Sequence, residues 1–268
     1  MQTSDFDGFV ATPAARLRVK VQRAAEADRP WVIFSNSLAT SHQIWDAQAE
    51  MLTGRYNLLR YDQRGHGESP ATGAVTIADL GADLAALAEH FDVRNAVGVG
   101  LSMGVPTMLS LAGRAPERLR ALVLTDGQAA TQPGGAAMWE KRVAAARERG
   151  MDWVAEDIIT RWFQPENRTL PGVQALEASI RALSLEGYAA CATALQGYDF
   201  AAVAAAFDKP VLLVAGALDG AMPDVMARME GLFPKARLQI IPGAGHIPNL
   251  EQAQAYNAAL SDFIDSLV

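Results

Sequence analysis

Six short stretches of this chain are apolar almost from end to end: Trp31–Ser35, Asn57–Tyr61, Asn95–Val99, Ala121–Thr125, Val211–Ala215 and Leu238–Ile241. A strand with apolar side chains on both faces has to be covered on both, which is the situation of a strand inside a parallel sheet flanked by helices. The intervening segments can supply that cover. Leu80, Leu84, Leu87 and Phe91 recur at spacings of three and four, the stripe of an amphipathic helix. Ahead of the first apolar strand, Leu17-Arg-Val-Lys-Val-Gln22 alternates in polarity and predicts a half-exposed antiparallel strand. Strand and helix in alternation specify an open α/β sheet.

The rhythm breaks once, between 128 and 207, where no strand-like run appears. Met138–Arg149 reads as a helix ended by Gly150. Asp152 is placed to cap a second helix bearing Trp153, Ile158, Trp162 and Phe163, stopped by Pro165, and Val173, Leu176, Ile180 and Leu183 form a third stripe. The expected organisation is one domain: a core from 1–127 and 208–268, carrying a helical cap inserted at 128–207. The chain has 268 residues with 23 Lys+Arg against 30 Asp+Glu, a net charge of −7 that argues against nucleic acid or anionic lipid as a partner. The lone Cys191 excludes an intramolecular disulfide or a Cys-rich zinc site. No apolar run approaches the roughly 18–20 residues that cross a bilayer. Met1–Val10 holds Asp5 and Asp7 and no basic residue, unlike a secretion signal, so a cytoplasmic location is expected.

Gly100-Leu-Ser-Met-Gly104 follows one of the apolar strands and precedes a helical segment through Met108, Leu109 and Leu111. Gly-x-Ser-x-Gly at a strand-to-helix turn is a nucleophile elbow: the serine takes a strained backbone, and glycine two residues away on either side removes the bulk that would block it. A serine hydroxyl needs a base, and the base an orienting acid, in the chain order Ser, acid, His. Gly216-Ala-Leu-Asp219 follows the strand at 211–215, and Pro242-Gly-Ala-Gly-His246 follows the strand at 238–241. Ser102, Asp219 and His246 therefore all fall just past the C-terminal ends of parallel strands, on the edge where ligands bind in open α/β sheets. Asp126, after the strand at 121–125, is a rival for the acid. His66 precedes the nucleophile and reads as a structural loop residue, His90 closes a helix, and His42 is placed to line the pocket. Two backbone N–H donors are needed for the oxyanion; Met103, next to the serine, and Leu38, in the loop after the first apolar strand, are the candidates. Neither a metal cluster nor a dinucleotide or phosphate loop is present in the sequence, so no cofactor and no metal are expected.

Together these segments resemble the α/β-hydrolase superfamily, and within it the 3-oxoadipate enol-lactonases of aromatic-compound degradation. Phe34-Ser-Asn-Ser-Leu-Ala-Thr40 with Trp45-Asp46 is similar to their oxyanion loop, and Leu59–Ser69 to the loop after their fourth strand. Glu186-Gly-Tyr-Ala-Ala-Cys191, Trp139, Gly150-Met151 and Arg161-Trp-Phe163 resemble their cap, and Gly245–Gln252 their histidine loop. The resemblance implies a mostly parallel eight-stranded sheet with helices on both faces and an all-helical cap. The family's nucleophile, acid, base and oxyanion donors then fall on Ser102, Asp219, His246, Leu38 and Met103. A lactone with a carboxylate tail would want an Arg or Lys in the pocket. The segment from Asp126 to Gly135, where family members carry an arginine, supplies none.

The expected activity is hydrolysis of a small carboxylic ester or lactone through an acyl-enzyme, with His42, Trp139, Trp162 and Ile247 as substrate-pocket candidates. The same triad supports C–C bond hydrolysis of a ring-cleavage product, or a perhydrolase-type activity. A ligand-binding receptor on this fold would lose a triad member or turn over very slowly. The oligomeric state is left open.

Overall fold

The computed structural model describes residues 4–267 apart from 27 and 72, so the first three positions of the stretch read for a leader lie outside the described residues. The sheet begins with Phe6–Ala11 (β1) and Arg16–Gln22 (β2), paired antiparallel with Phe6 opposite Val21. Then come Trp31–Ser35 (β3), helix Asp46–Leu52 (α1), Asn57–Tyr61 (β4), helix Ile77–His90 (α2) and Ala96–Leu101 (β5). Helix Gly104–Arg114 (α3) leads to Leu119–Thr125 (β6). Four helices follow without a strand between them: Gly135–Trp162 (α4), Pro171–Arg181 (α5), Leu185–Ala194 (α6) and Ala201–Ala206 (α7). Val211–Gly216 (β7), Met222–Glu230 (α8), Ala236–Ile241 (β8), Pro248–Glu251 (α9) and Ala253–Asp265 (α10) complete the chain. The order across the sheet is β1-β2-β4-β3-β5-β6-β7-β8, parallel from β4 through β8.

The pleat sends alternate side chains into two cores. Val32, Phe34, Val97, Val99, Val123 and Val214 join Trp45, Leu52, Leu260 and Phe263 on one face, together with the apolar side of α4–α6. Ile33, Leu59, Leu122, Leu124 and Leu213 meet Leu84, Leu87, Met108, Leu109 and Met226 on the other. This is why the central strands carry no polar alternation. α2 starts where Thr76 and Asp79 form a reciprocal capping box.

Three features differ from the sequence expectation. β1 is an additional strand, whose Phe-Asp-Gly-Phe alternation was too short and polar to stand out. β8 is half-exposed, with Ile240 38 % accessible, because an edge strand has a neighbour on one side only. Gly150, at φ +79° and ψ 177°, kinks α4, but the helix resumes at once. Asp152 is thus not a cap; its carboxylate pairs with Arg181 of α5.

The elbow between β5 and α3 is tightly packed. Ser102 has φ +52°, and a methyl group at Gly104 would overlap the Ser35 carbonyl oxygen of β3. Gly104→Ala is expected to destabilise the protein by about 3 kcal/mol, measured by urea unfolding, since neither backbone can retreat without breaking the β3–β5 ladder.

Candidate active site

The central parallel strands deliver one element each to a common edge. β5 ends in Ser102, β3 runs into the loop holding Leu38, β6 ends at Asp126, and the loops after β7 and β8 carry Asp219 and His246. His246 Nε2 lies 3.0 Å from Ser102 Oγ, and His246 Nδ1 lies 2.7 Å from Asp219 Oδ2. With Nδ1 donating to the carboxylate, Nε2 is left to accept the serine proton. Backbone bonds fix this alignment. The Ser102 N–H donates to the Thr125 carbonyl at 2.9 Å, and the His246 N–H donates to the Trp162 carbonyl at 2.9 Å. The Trp162 ring packs against the imidazole with centroids 5.1 Å apart. Glu251 accepts the Gly245 N–H at 2.7 Å and an Asn167 side-chain N–H at 2.8 Å, tying the histidine loop to the cap. Among the described residues the Leu38 and Met103 N–H groups have no protein acceptor. Both residues line the cavity over Ser102.

That cavity has a volume of about 420 Å³. Trp139, Ile158, Trp162, Leu195 and Met138 supply apolar wall, and Gln128, Arg142, Arg161, Tyr188 and Tyr198 bring polar groups. Trp139 and Trp162, read as pocket residues, are on this wall. His42 and Ile247 are not, and those two expectations are corrected. The His42 ring turns away to Asp62, Nδ1 to Oδ1 2.8 Å, because that buried carboxylate needs donors and also takes the His42 and Glu68 N–H groups. Ile247 is fully buried in the core and its carbonyl caps α9. His90 is exposed at the end of α2, and His66 is buried beneath the loop of Leu38.

Positive charge reaches the pocket from a part of the chain the sequence reading did not single out for it. The segment 126–135 has none, but α4 supplies Arg142 and Arg161 from farther along the chain. Arg161 is paired with Asp157 at 2.8 Å. Arg142 stacks over the Trp139 ring at 4.9 Å and has no carboxylate partner among the described residues. Burial and then the Arg161 charge hold its pKa below the ordinary arginine value, though it stays protonated at neutral pH. The spacing of Trp139 and Arg142, one helical turn apart, was the sequence signal: a tryptophan read into the pocket takes its i+3 neighbour with it.

A strand-turn-serine elbow, an in-line Ser–His–Asp contact and a helical insertion over it form a known combination. Residues 30–253 match the model of the alpha/beta hydrolase fold family. The chain belongs to the α/β-hydrolase family. A 3-oxoadipate enol-lactonase of Acinetobacter baylyi is 35 % identical over 88 % of each chain. Among solved structures, a hydrolase from Pseudomonas aeruginosa superposes with a TM-score of 0.89 at 34 % identity, covering 96 % of this chain and 98 % of that one. The enol-lactonase from Burkholderia xenovorans gives a TM-score of 0.89 at 29 % identity, covering 96 % and 99 %. The proteins that this α/β-hydrolase resembles here are a hydrolase and two enol-lactonases. Among its described residues no helix is long and apolar enough to cross a membrane.

The rival acid of this α/β-hydrolase, Asp126, is also at the site but is used differently. Fully buried, with φ +42°, it accepts the Gly216 N–H on both oxygens at 3.1 Å. The imidazole faces Asp219 instead. Burial, and then the Asp219 charge, raise the Asp126 pKa well above the usual carboxyl value. A carboxyl that keeps its proton in the folded state where the unfolded chain has lost it makes stability fall as pH rises, from the ordinary carboxyl range up through the raised folded value. Asp126→Asn keeps both the acceptor for Gly216 and a donor toward Asp219, and Asn tolerates a left-handed φ. The variant is expected to melt above wild type at pH 8, with the difference closing as pH falls below about 4. Calorimetric melting curves across pH check this; parallel curves would contradict it.

Proposed function

We propose that the chain is a serine hydrolase that opens carboxylic esters or lactones through an acyl-enzyme, similar to the 3-oxoadipate enol-lactonases. The observation that carries the reading is the continuous Ser102–His246–Asp219 hydrogen-bonded line at the floor of a cap-covered cavity. The core, 1–127 with 208–268, supplies this chemistry, and 128–207 acts as the cap. In the first step Ser102 Oγ attacks the substrate carbonyl carbon as its proton passes to His246 Nε2, and Asp219 stabilises the imidazolium through Nδ1. The tetrahedral oxyanion rests on the Leu38 and Met103 N–H groups, each such donor contributing about 3 kcal/mol to the transition state. Collapse breaks the C–O bond, and the leaving alkoxide takes the proton from His246. With a lactone, the new hydroxyl stays attached to the acyl chain. Water, deprotonated by His246, then attacks the ester of Ser102 and frees the acid.

Ser102→Ala is expected to abolish p-nitrophenyl butyrate hydrolysis while the fold persists. Mass spectrometry of wild type with a fluorophosphonate should show a single adduct, on Ser102. Turnover by the alanine variant near the wild-type rate would refute the assignment.

The cap also supports a narrower substrate class. Arg142, a half-buried cation with no carboxylate at ion-pair distance among the described residues, lines the same cavity as Ser102. A charge in that position is best matched by an anionic group on the substrate, and Tyr188 adds a hydroxyl on the same wall. This favours an ester or lactone bearing a carboxylate tail. Arg142→Met, which keeps the apolar stem, is expected to lower kcat/KM for a carboxylate-bearing enol lactone about 10- to 100-fold. A neutral butyrate ester should change less than about threefold. Equal losses on both substrates would remove the carboxylate from the reading.

A further inference from the structure

The loop that carries Leu38 is held from below by a histidine that touches neither the cavity nor the candidate triad. Ala39 has φ +63°, a left-handed conformation that a residue with a side chain rarely adopts. Its N–H donates to His66 Nε2 at 2.8 Å. The other ring nitrogen, Nδ1, faces the Arg64 carbonyl at 3.3 Å. A carbonyl can only accept, and an N–H can only donate, so both contacts fit one tautomer: proton on Nδ1, lone pair on Nε2. His66 is completely buried. Burial pulls its pKa down to about 4, outweighing the nearby Asp62 carboxylate, so the lone pair is available at neutral pH.

The neighbouring bonds leave this contact a specific task. Asn36 is held on both sides, its carbonyl by Gln63 Nε2 at 2.7 Å and its side-chain oxygen by Trp45 Nε1 at 3.0 Å. The Thr40 N–H closes back on the Ser37 carbonyl. Of the two amides at the crest, Ala39 is engaged by His66, whereas Leu38 has no acceptor among the described residues. We propose that His66 is a positioning residue for the oxyanion loop: its neutral ring accepts the Ala39 N–H, fixes the left-handed turn, and thereby keeps the Leu38 N–H free and aimed at the cavity. The inference rests on the acyl-enzyme reading of Ser102, since without an oxyanion the aim of that amide has no consequence.

The test compares wild type with His66→Gln, whose amide oxygen can accept the same N–H, and His66→Phe, which fills the space without an acceptor. Initial rates on p-nitrophenyl butyrate are measured together with inhibition by butylboronic acid, which forms a tetrahedral adduct on an active serine. In His66→Phe, kcat is expected to fall about 100-fold and boronate affinity in parallel, with KM within about threefold, as for loss of one oxyanion donor. His66→Gln should recover most of both. A merely structural histidine would lower the active fraction, counted by fluorophosphonate titration, and leave per-site kcat unchanged. That result, or a phenylalanine variant with per-site kcat within threefold of wild type, would overturn the proposal. Independently of folding of either variant, nitrogen-15 NMR of wild type should show the His66 proton on Nδ1; a proton on Nε2 would overturn it as well. Ser102→Ala separates the two readings: if it loses turnover while the His66 results go against expectation, the positioning role alone fails.

Discussion

Ser102 is held at a backbone angle that L-residues avoid, on a turn with almost no room around it. The strain persists because packing on several sides determines it more strongly than the residue's own preference. β3 passes so close that position 104 has no space for a side chain, the Thr125 carbonyl of β6 anchors the Ser102 amide, and α3 begins at once behind it. The same compression lifts the hydroxyl off the sheet edge and points the start of α3 toward it. Everything that faces Ser102 depends on that fixed point. The His246 ring, the Leu38 loop and the cap wall are each positioned against a serine that cannot move aside.

Around this point the loops are fixed by buried polar groups with assigned partners. Arg64 and Asp83 form a fork with bonds of 2.6 and 2.7 Å, Asp62 collects His42 and Glu68, and Asp126 spans to Gly216. Such groups are costly to bury and strongly penalised if one partner is lost. Their effect is a set of loops with one conformation each. A catalytic site needs that, because a donor displaced by an ångström no longer meets the developing charge.

Chemistry and selectivity are divided between the two parts of the chain. On the proposed reading, the strand ends carry the nucleophile, base, acid and oxyanion donors, all of which would serve any ester. α4 and α6 carry Trp139, Arg142, Arg161 and Tyr188, which line the cavity and, on the same reading, select the substrate. The parts are not independent, since the Trp162 carbonyl in the cap holds the His246 amide in the core.

The sheet, the elbow and the residues that meet there were legible in the amino-acid order, because each depends on local rules: apolar runs for covered strands, Gly-x-Ser-x-Gly for a strained turn, and a position just past a strand end for His246 and Asp219. The helical insertion was legible for the same reason, by the absence of strand-forming runs. Asp126 and Asp219 both follow parallel strands; the sequence favoured Asp219 for the imidazole, and the contact of 2.7 Å agrees, but the physical reason was not legible. Only the packed structure shows Asp126 tied down to Gly216 in a dry site and Asp219 free to reach Nδ1. The direction of His42, the burial of Ile247, the charge brought by Arg142 and the acceptor role of His66 were likewise settled by contacts between residues far apart in sequence. Local spacing fixes where a side chain leaves the backbone, but its partner, burial and protonation are set by whatever the rest of the chain packs against it.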